Sequence, residues 1–201
     1  MDYGHEHLRE VMENHNGIAS SEQLLQAGYT RMMIYNCLAL GILKKESHGN
    51  YSMADLQPDE YRIIQCRSDK LVFSHATGLY LNGLTNRVPQ MLDVTVPQGD
   101  NVSRIKRDHS NIRFHYCKKE LWNLGLTQVI TPQGFTVNVY DMERCICDVI
   151  QNRKNVDSEV FSQSMEEYFT NHCDCKKIIR YSRLLRANEI LIRSYMKHLD
   201  I

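Results

Sequence analysis

The chain has 201 residues, 42% of them hydrophobic and 24% charged, and its 24 basic and 24 acidic side chains cancel to a net charge of zero. That composition excludes a disordered or collagen-like protein. The zero balance argues against a protein that coats DNA by charge alone, because such proteins are strongly basic.

The length suits two small domains, each burying its own core. The opening run Met1-Asp2-Tyr3-Gly4-His5-Glu6 has neither the basic start nor the apolar centre of a secretory signal. Apolar stretches such as Leu38 to Leu43 fall far short of the roughly 20 residues that span a membrane. The expectation is a cytoplasmic protein without membrane contact. Seven cysteines, an odd number, point to reduced thiols. The pairs Cys145/Cys147 and Cys173/Cys175 are spaced too tightly for an ordinary structural zinc site, so neither a metal nor another cofactor is expected.

In chain order, residues 5–14 predict a helix with Leu8, Val11 and Met12 on one stripe. Ser20 and Gln23 stand at capping-box spacing ahead of a short helix from Ser21 to Ala27, which stops at Gly28. Thr30 caps a third helix, Arg31 to Leu40, whose buried stripe is Ile34, Leu38 and either Met33 or Cys37. Two short strands around Ser47-His48-Gly49-Asn50 make a hairpin. Three helices and a hairpin in this order predict a winged helix-turn-helix over residues 1–56. The polar segment from Ala54 to Glu60, which contains Pro58, reads as the domain junction.

Residues 57–201 predict a mixed α+β domain, so the fold class is α+β throughout. Helices are expected over Asp59 to Cys66, from a Ser74 cap to Asn82, and from an Asp141 cap to Ile150. Strands are expected at Leu71 to Phe73, Leu92 to Val96 and Ile112 to Tyr116. Leu126 to Thr131 and Phe135 to Tyr140 form a hairpin around Pro132-Gln133-Gly134. A helix from Ser158 to Phe169 follows, then a basic helical tail from Asp174 to Leu199, broken near Ala187-Asn188.

No phosphate-binding, dinucleotide, zinc-protease or nucleophile-elbow motif occurs, and the nine histidines show no ligand spacing. No catalytic residues are assigned. Asp141, Glu143 and Asp148 could cluster, but Asp141 is better explained as a helix cap. DNA contact has better support. In a helix-turn-helix the second helix of the motif enters the major groove, which nominates Thr30, Arg31, Met32, Tyr35 and Asn36. Arg31 suits guanine or phosphate and Asn36 suits adenine. Ser20, Ser21 and Gln23 open the preceding helix, where donors meet phosphates; Lys44, Lys45 and His48 lie on or near the wing.

Residues 1–56 hold 4 basic against 7 acidic side chains, a net of −3, so the grip on phosphate has to come from elsewhere. Residues 101–119 carry a net of +5 and residues 176–197 a net of +6. Arg104, Lys106, Arg107, Lys118, Lys119, Lys176, Lys177, Arg180 and Arg183 are the candidate phosphate contacts there. In the tail, Lys176, Arg180, Arg183 and Arg186 share one helical face without interleaved acids.

The runs Gly17 to Leu24, Ala27 to Arg31, Gly41-Ile42-Leu43 and Gly49-Asn50-Tyr51 resemble the winged-helix domain of AbiEi antitoxins. So do Ser74 to Leu84, Val94 to Gly99 and Val139 to Asp148 in the second domain. In the wing, His48 and Asn50 depart from the family's basic and aliphatic residues. The resemblance implies an antitoxin and autorepressor of a bacterial type IV toxin–antitoxin pair that serves abortive infection against phage. It implies binding to inverted repeats in the protein's own promoter, as two copies of a chain that is monomeric in solution. It also implies a nucleotidyltransferase-like AbiEii toxin as functional partner, counteracted by the C-terminal domain without a stable complex. The alternative is an interaction module whose C-terminal domain binds the toxin or its target directly.

Overall fold

The computed structural model describes residues 3–198; the expected tail end at Leu199 lies outside them. The protein is mixed α+β with two sheets, and its contacts divide it into two compact units. One comprises residues 1–69 with 130–137, the other 70–129 with 138–201. The expected boundary after Leu56 therefore falls inside the first unit.

In the first unit, α1 (Tyr3–Asn14) buries Leu8, Val11 and Met12 as its periodicity predicts. Strand β1 (Ala19–Ser20) leads into α2 (Ser21–Gln26) and then α3 (Arg31–Ala39). The capping box forms: Gln23 N donates to Ser20 Oγ at 3.1 Å and Ser20 N to Gln23 Oε1 at 2.7 Å. Strands β2 (Leu43–Ser47) and β3 (Asn50–Met53) form the hairpin, and β3 is central in the order β1-β3-β2. Leu8, Met12, Leu24, Tyr29, Ile34, Leu43 and Met53 share one core.

Residues beyond 56 complete this unit. Helix α4 (Glu60–Gln65), N-capped by Asp59, holds Arg62 against the end of α1. The Arg62 guanidinium donates to the carbonyls of Asn16 at 2.8 Å, His15 at 2.9 Å and Ile18 at 3.2 Å. A cation is thus placed where the helix leaves unsatisfied carbonyls and negative potential. Asn16 also exchanges two hydrogen bonds with the Thr136 backbone, at 2.7 and 3.1 Å.

In the second unit the chain runs through β4 (Val72–Phe73), α5 (His75–Leu81), β5 (Leu92–Pro97), α6 (Ser103–Asp108) and β6 (Ile112–Cys117). It continues with α7 (Lys119–Trp122), β7 (Leu126–Ile130), β8 (Thr136–Tyr140) and α8 (Met142–Gln151). The last helices are α9 (Ser158–Glu167), α10 (Cys175–Leu185) and α11 (Glu189–His198). The five-stranded sheet has the order β6-β5-β4-β8-β7. Strand β5 pairs antiparallel with β4 and parallel with β6, and β4 pairs parallel with β8. The short α6 and α7 carry no apolar stripe long enough to announce them.

Helix α8 is the centre of this core. Every residue from Glu143 to Ile150 is buried, including Cys145 and Cys147. Its carboxylates are individually paired. Asp148 takes Arg144 Nε at 2.9 and 3.1 Å, and Asp141 caps the helix by accepting from Arg144 N at 2.9 Å. Glu143 accepts from Tyr168 Oη at 3.2 Å and from Lys177 Nζ at 2.8 Å. The Cys173 and Cys175 sulfurs approach to 3.6 Å. The tail breaks at Arg186, whose backbone is left-handed at φ 58°. None of the described helices is long and apolar enough to cross a membrane.

Candidate functional site

The α2–α3 segment is fixed at three of its ends by short-range bonds. Gly28, at φ 93°, lets Tyr29 N reach Leu24 O at 3.0 Å while Gly28 N bonds Leu25 O at 3.1 Å. This Schellman turn puts the apolar residues Leu24 and Tyr29 into one core and leaves Thr30 to start α3. Thr30 Oγ1 accepts from Met33 N at 3.2 Å. Gly41, at φ 68°, closes α3 the same way, with Ile42 N on Cys37 O at 2.9 Å and Gly41 N on Leu38 O at 3.1 Å.

Only Ile34 of α3 is buried, with Cys37 and Leu38 half-buried beside it, so Cys37 and not Met33 completes the inner stripe. Arg31, Met32, Tyr35 and Asn36 all face outward, Met32 and Tyr35 at 67% exposure. Two large apolar side chains on the outer face of a helix are a surface that gains from being covered. Lys44, Lys45 and His48 are exposed along the hairpin, with Lys44 3.4 Å from Glu46. Ser20, Gln23 and Thr30 use their side-chain oxygens as caps, and Ser21 N donates to Gly49 O at 2.7 Å. These four residues position α2 and α3 through backbone bonds.

In the second unit, Arg104, Lys106 and Arg107 are exposed on α6, and Lys118 and Lys119 are exposed just after β6. The Lys106 ammonium stands 5.5 and 5.6 Å from the ring centres of Phe114 and Tyr116. The tail differs from expectation, because acids from other elements interleave with its cations. Lys177 contacts Asp141 at 3.1 Å and Glu143 at 2.8 Å. Against the opposing pull of burial, those carboxylates hold its ammonium above the ordinary lysine value. Arg183 is bidentate to Glu189 at 3.0 and 3.1 Å. Lys177 and Arg183 are therefore held by carboxylates of the same unit, while Lys176, Arg180 and Arg186 stay exposed on the tail.

No spacing in the sequence announces a polar cluster that lies beneath a cavity of about 470 Å³ in the same unit. His75 opens α5 with a left-handed backbone, φ 49°, which is rare for a residue with a Cβ. Its ring stacks on His115 of β6 at 3.6 Å between centres. Asn152 Nδ2 lies 2.9 Å from His75 Nε2, and Ser74 Oγ lies 3.0 Å from His75 Nδ1. Because the amide nitrogen can only donate, Nε2 accepts and Nδ1–H points at Ser74. Burial first, and then the neighbouring His115, push His75 down to about 3. The imidazole is neutral at physiological pH.

Ser74 is the N-cap residue of α5 but makes no cap bond; its hydroxyl serves this cluster and accepts from Thr95 at 2.8 Å. His115 Nε2 lies 2.8 Å from the buried Asp93, with Arg113 3.6 Å from the same oxygen. Asp93 and His115 sit two registers apart across the parallel β5–β6 pair, a relation that only strand pairing creates.

The protein is thus a two-unit α+β protein with an outward-facing helix in one unit and a polar cavity in the other. No family profile and no curated protein matches the chain. Among solved structures it is similar to the RV2827C protein from Mycobacterium tuberculosis, with 12% identity and a TM-score of 0.63. The likeness covers 96% of this chain and 75% of that one, and it is a likeness of fold.

Proposed function

We propose that the first unit is a winged helix-turn-helix that reads operator DNA with α3, and that the protein is an antitoxin and autorepressor of the AbiEi type. The observation that carries DNA reading is the outer face of α3. Arg31 and Asn36 supply base-edge donors and acceptors there, and Met32 and Tyr35 supply apolar surface for thymine methyl groups. The element order α1-β1-α2-α3-β2-β3 supports the winged-helix assignment. The antitoxin role rests on the sequence resemblance.

Arg31→Ala is expected to weaken binding to the promoter repeats by about 1–3 kcal/mol and to leave random-sequence binding unchanged. Titration of both DNAs by gel shift or fluorescence anisotropy checks this, and an equal loss on both demotes Arg31 to a phosphate contact. The acidic first unit makes the second the source of the electrostatic grip. Charge reversal of Arg104, Lys118 and Lys119 should flatten the salt dependence of binding by about one unit of log–log slope per lost contact. Reversal of Arg183 should leave the slope unchanged, since Glu189 already holds that guanidinium.

A second reading is that the C-terminal unit docks on protein. Leu184 at 49% and Ile190 at 83% exposure, on α10 and α11, favour it. Co-purification with a tagged cognate toxin separates the two readings.

A further inference from the structure

We propose that Cys173 and Cys175 are a peroxide-responsive dithiol that closes to a reversible disulfide at the start of α10. This site is independent of DNA binding and of the antitoxin reading. The two sulfurs lie 3.6 Å apart, and among the described residues no other two cysteines come within hydrogen-bond distance. Both side chains are half-buried, so solvent and a small oxidant reach them. No set of three or more His, Cys, Asp or Glu among the described residues is placed to hold a metal, so the pair stands as a dithiol.

The closeness is fixed from both flanks. Upstream, a π-helical turn, Tyr168–His172, delivers Cys173. Turns of this wide kind are rare and occur frequently at functional sites. Tyr168 and Phe169 anchor it in the core: Tyr168 Oη donates to Glu143 at 3.2 Å, and the Phe169 ring stacks on Tyr195. Downstream, Cys175 is the first residue of α10, where Asp174 Oδ1 accepts from Lys177 N at 3.0 Å. Lys177 Nζ ties the same turn to Asp141 and Glu143. Two residues along a chain span at most about 7 Å when extended. Asp174 between them, at φ −91° and ψ 94°, is short of full extension, which suits the Cα separation of about 4.4–6.8 Å that a disulfide needs. Holding two reactants at contact distance in this way is what accelerates their joining.

Burial first, and the Cys175 sulfur second, push the Cys173 thiol up to about 12, so Cys173 keeps its proton at neutral pH. The thiolate is the reactive form of a cysteine, which leaves the first attack to Cys175. Its sulfur attacks hydrogen peroxide, the O–O bond breaks, hydroxide leaves, and Cys175 becomes a sulfenic acid. The Cys173 sulfur then attacks the Cys175 sulfur. The S–OH bond breaks, and the hydroxide departs as water with the Cys173 proton. In sum the two thiols give up two electrons and two protons, and one peroxide becomes two waters. A bridge across so short a loop is strained, and strained bridges are the ones that small thiols readily reduce. Cys145 and Cys147, by contrast, are sealed in the core, and burial pushes both thiols up.

The test treats the full chain with increasing hydrogen peroxide, alkylates the remaining thiols and maps the peptides by mass spectrometry. The peptide that holds Cys173 and Cys175 should lose about 2 Da, the two hydrogens, before Cys37, Cys66 or Cys117 lose their free thiols. Dithiothreitol should restore it. Cys173→Ser should trap a sulfenic acid on Cys175 that a dimedone probe labels. Cys175→Ser should form no bridge and should label at Cys173 at least about tenfold less. The wild-type map needs no substitution, so the outcome does not hang on either variant folding. A pair that stays reduced while other thiols oxidise, a bridge that recruits a different cysteine, or equal dimedone labelling of the two variants would each overturn the proposal.

Discussion

His75 combines two costs that its surroundings offset: a left-handed backbone and a buried imidazole held neutral. Its pKa is depressed to about 3 in the folded protein, against about 6.5 in the unfolded chain. Between those values the unfolded state binds the extra proton, so stability is full above about pH 6.5 and falls as the pH drops toward 3. The loss is expected to reach about 1.4 kcal/mol for each pH unit within that window. Urea unfolding at pH 7, 6, 5 and 4 should show it, and His75→Gln should be less stable at pH 7 yet flatter across the series. Nothing in the local sequence announces this residue. Ser74-His75 reads as an ordinary helix start, and the hydroxyl expected to cap α5 serves the His75 cluster instead. By contrast the caps at Ser20, Thr30 and Asp141 were legible, because a cap is a bond between residues three apart.

At the scale of elements, α10 and α11 are joined by charge across the turn at Arg186. Glu189 accepts from Arg183 and Arg193, which pull its carboxyl down to about 2. A carboxylate lowered in this way contributes stability above its unfolded pKa, and the contribution disappears as the pH falls through about 2. In an NMR titration Glu189 should have a midpoint near 2, and Arg183→Gln should move it upward toward the ordinary carboxylate range. An unmoved midpoint would show that Arg193 suffices. The basic periodicity of this tail was correctly visible in the sequence, but the availability of its cations was not. Lys177 meets carboxylates from the start of α8, more than thirty positions earlier, and helical periodicity says nothing about such partners. For the same reason α3 was better predicted than its chemistry. The Schellman turns fixed its ends locally, whereas packing chose Cys37 over Met33 for the inner face.

At the scale of the whole molecule, the first unit does not close at the junction the sequence suggests. Arg62 covers the carbonyls at the end of α1, and Thr136 pairs with Asn16 from 120 positions away. A fragment of residues 1–56 lacks both and is expected to exchange the amides of α1 much faster than the full chain does. Arg62→Met in the full chain should cost about 1.5–3 kcal/mol, as expected for losing hydrogen bonds from a charged donor. Hydrogen exchange and urea denaturation measure the two effects; a fragment as protected as the whole would restore the junction at 56. The sequence by itself determined the longer helices and several of their caps, the strands with alternating patterns, the acidic first unit and the basic stretches of the second. Those features depend on residues within a turn or two of one another, or on composition alone. Only the tertiary structure decided which cations remain free, where the first unit ends, and that Asp93, His115, His75 and Asn152 meet beneath one cavity. Each of these depends on strand register or helix packing between distant segments, where no short-range spacing constrains which side chains meet.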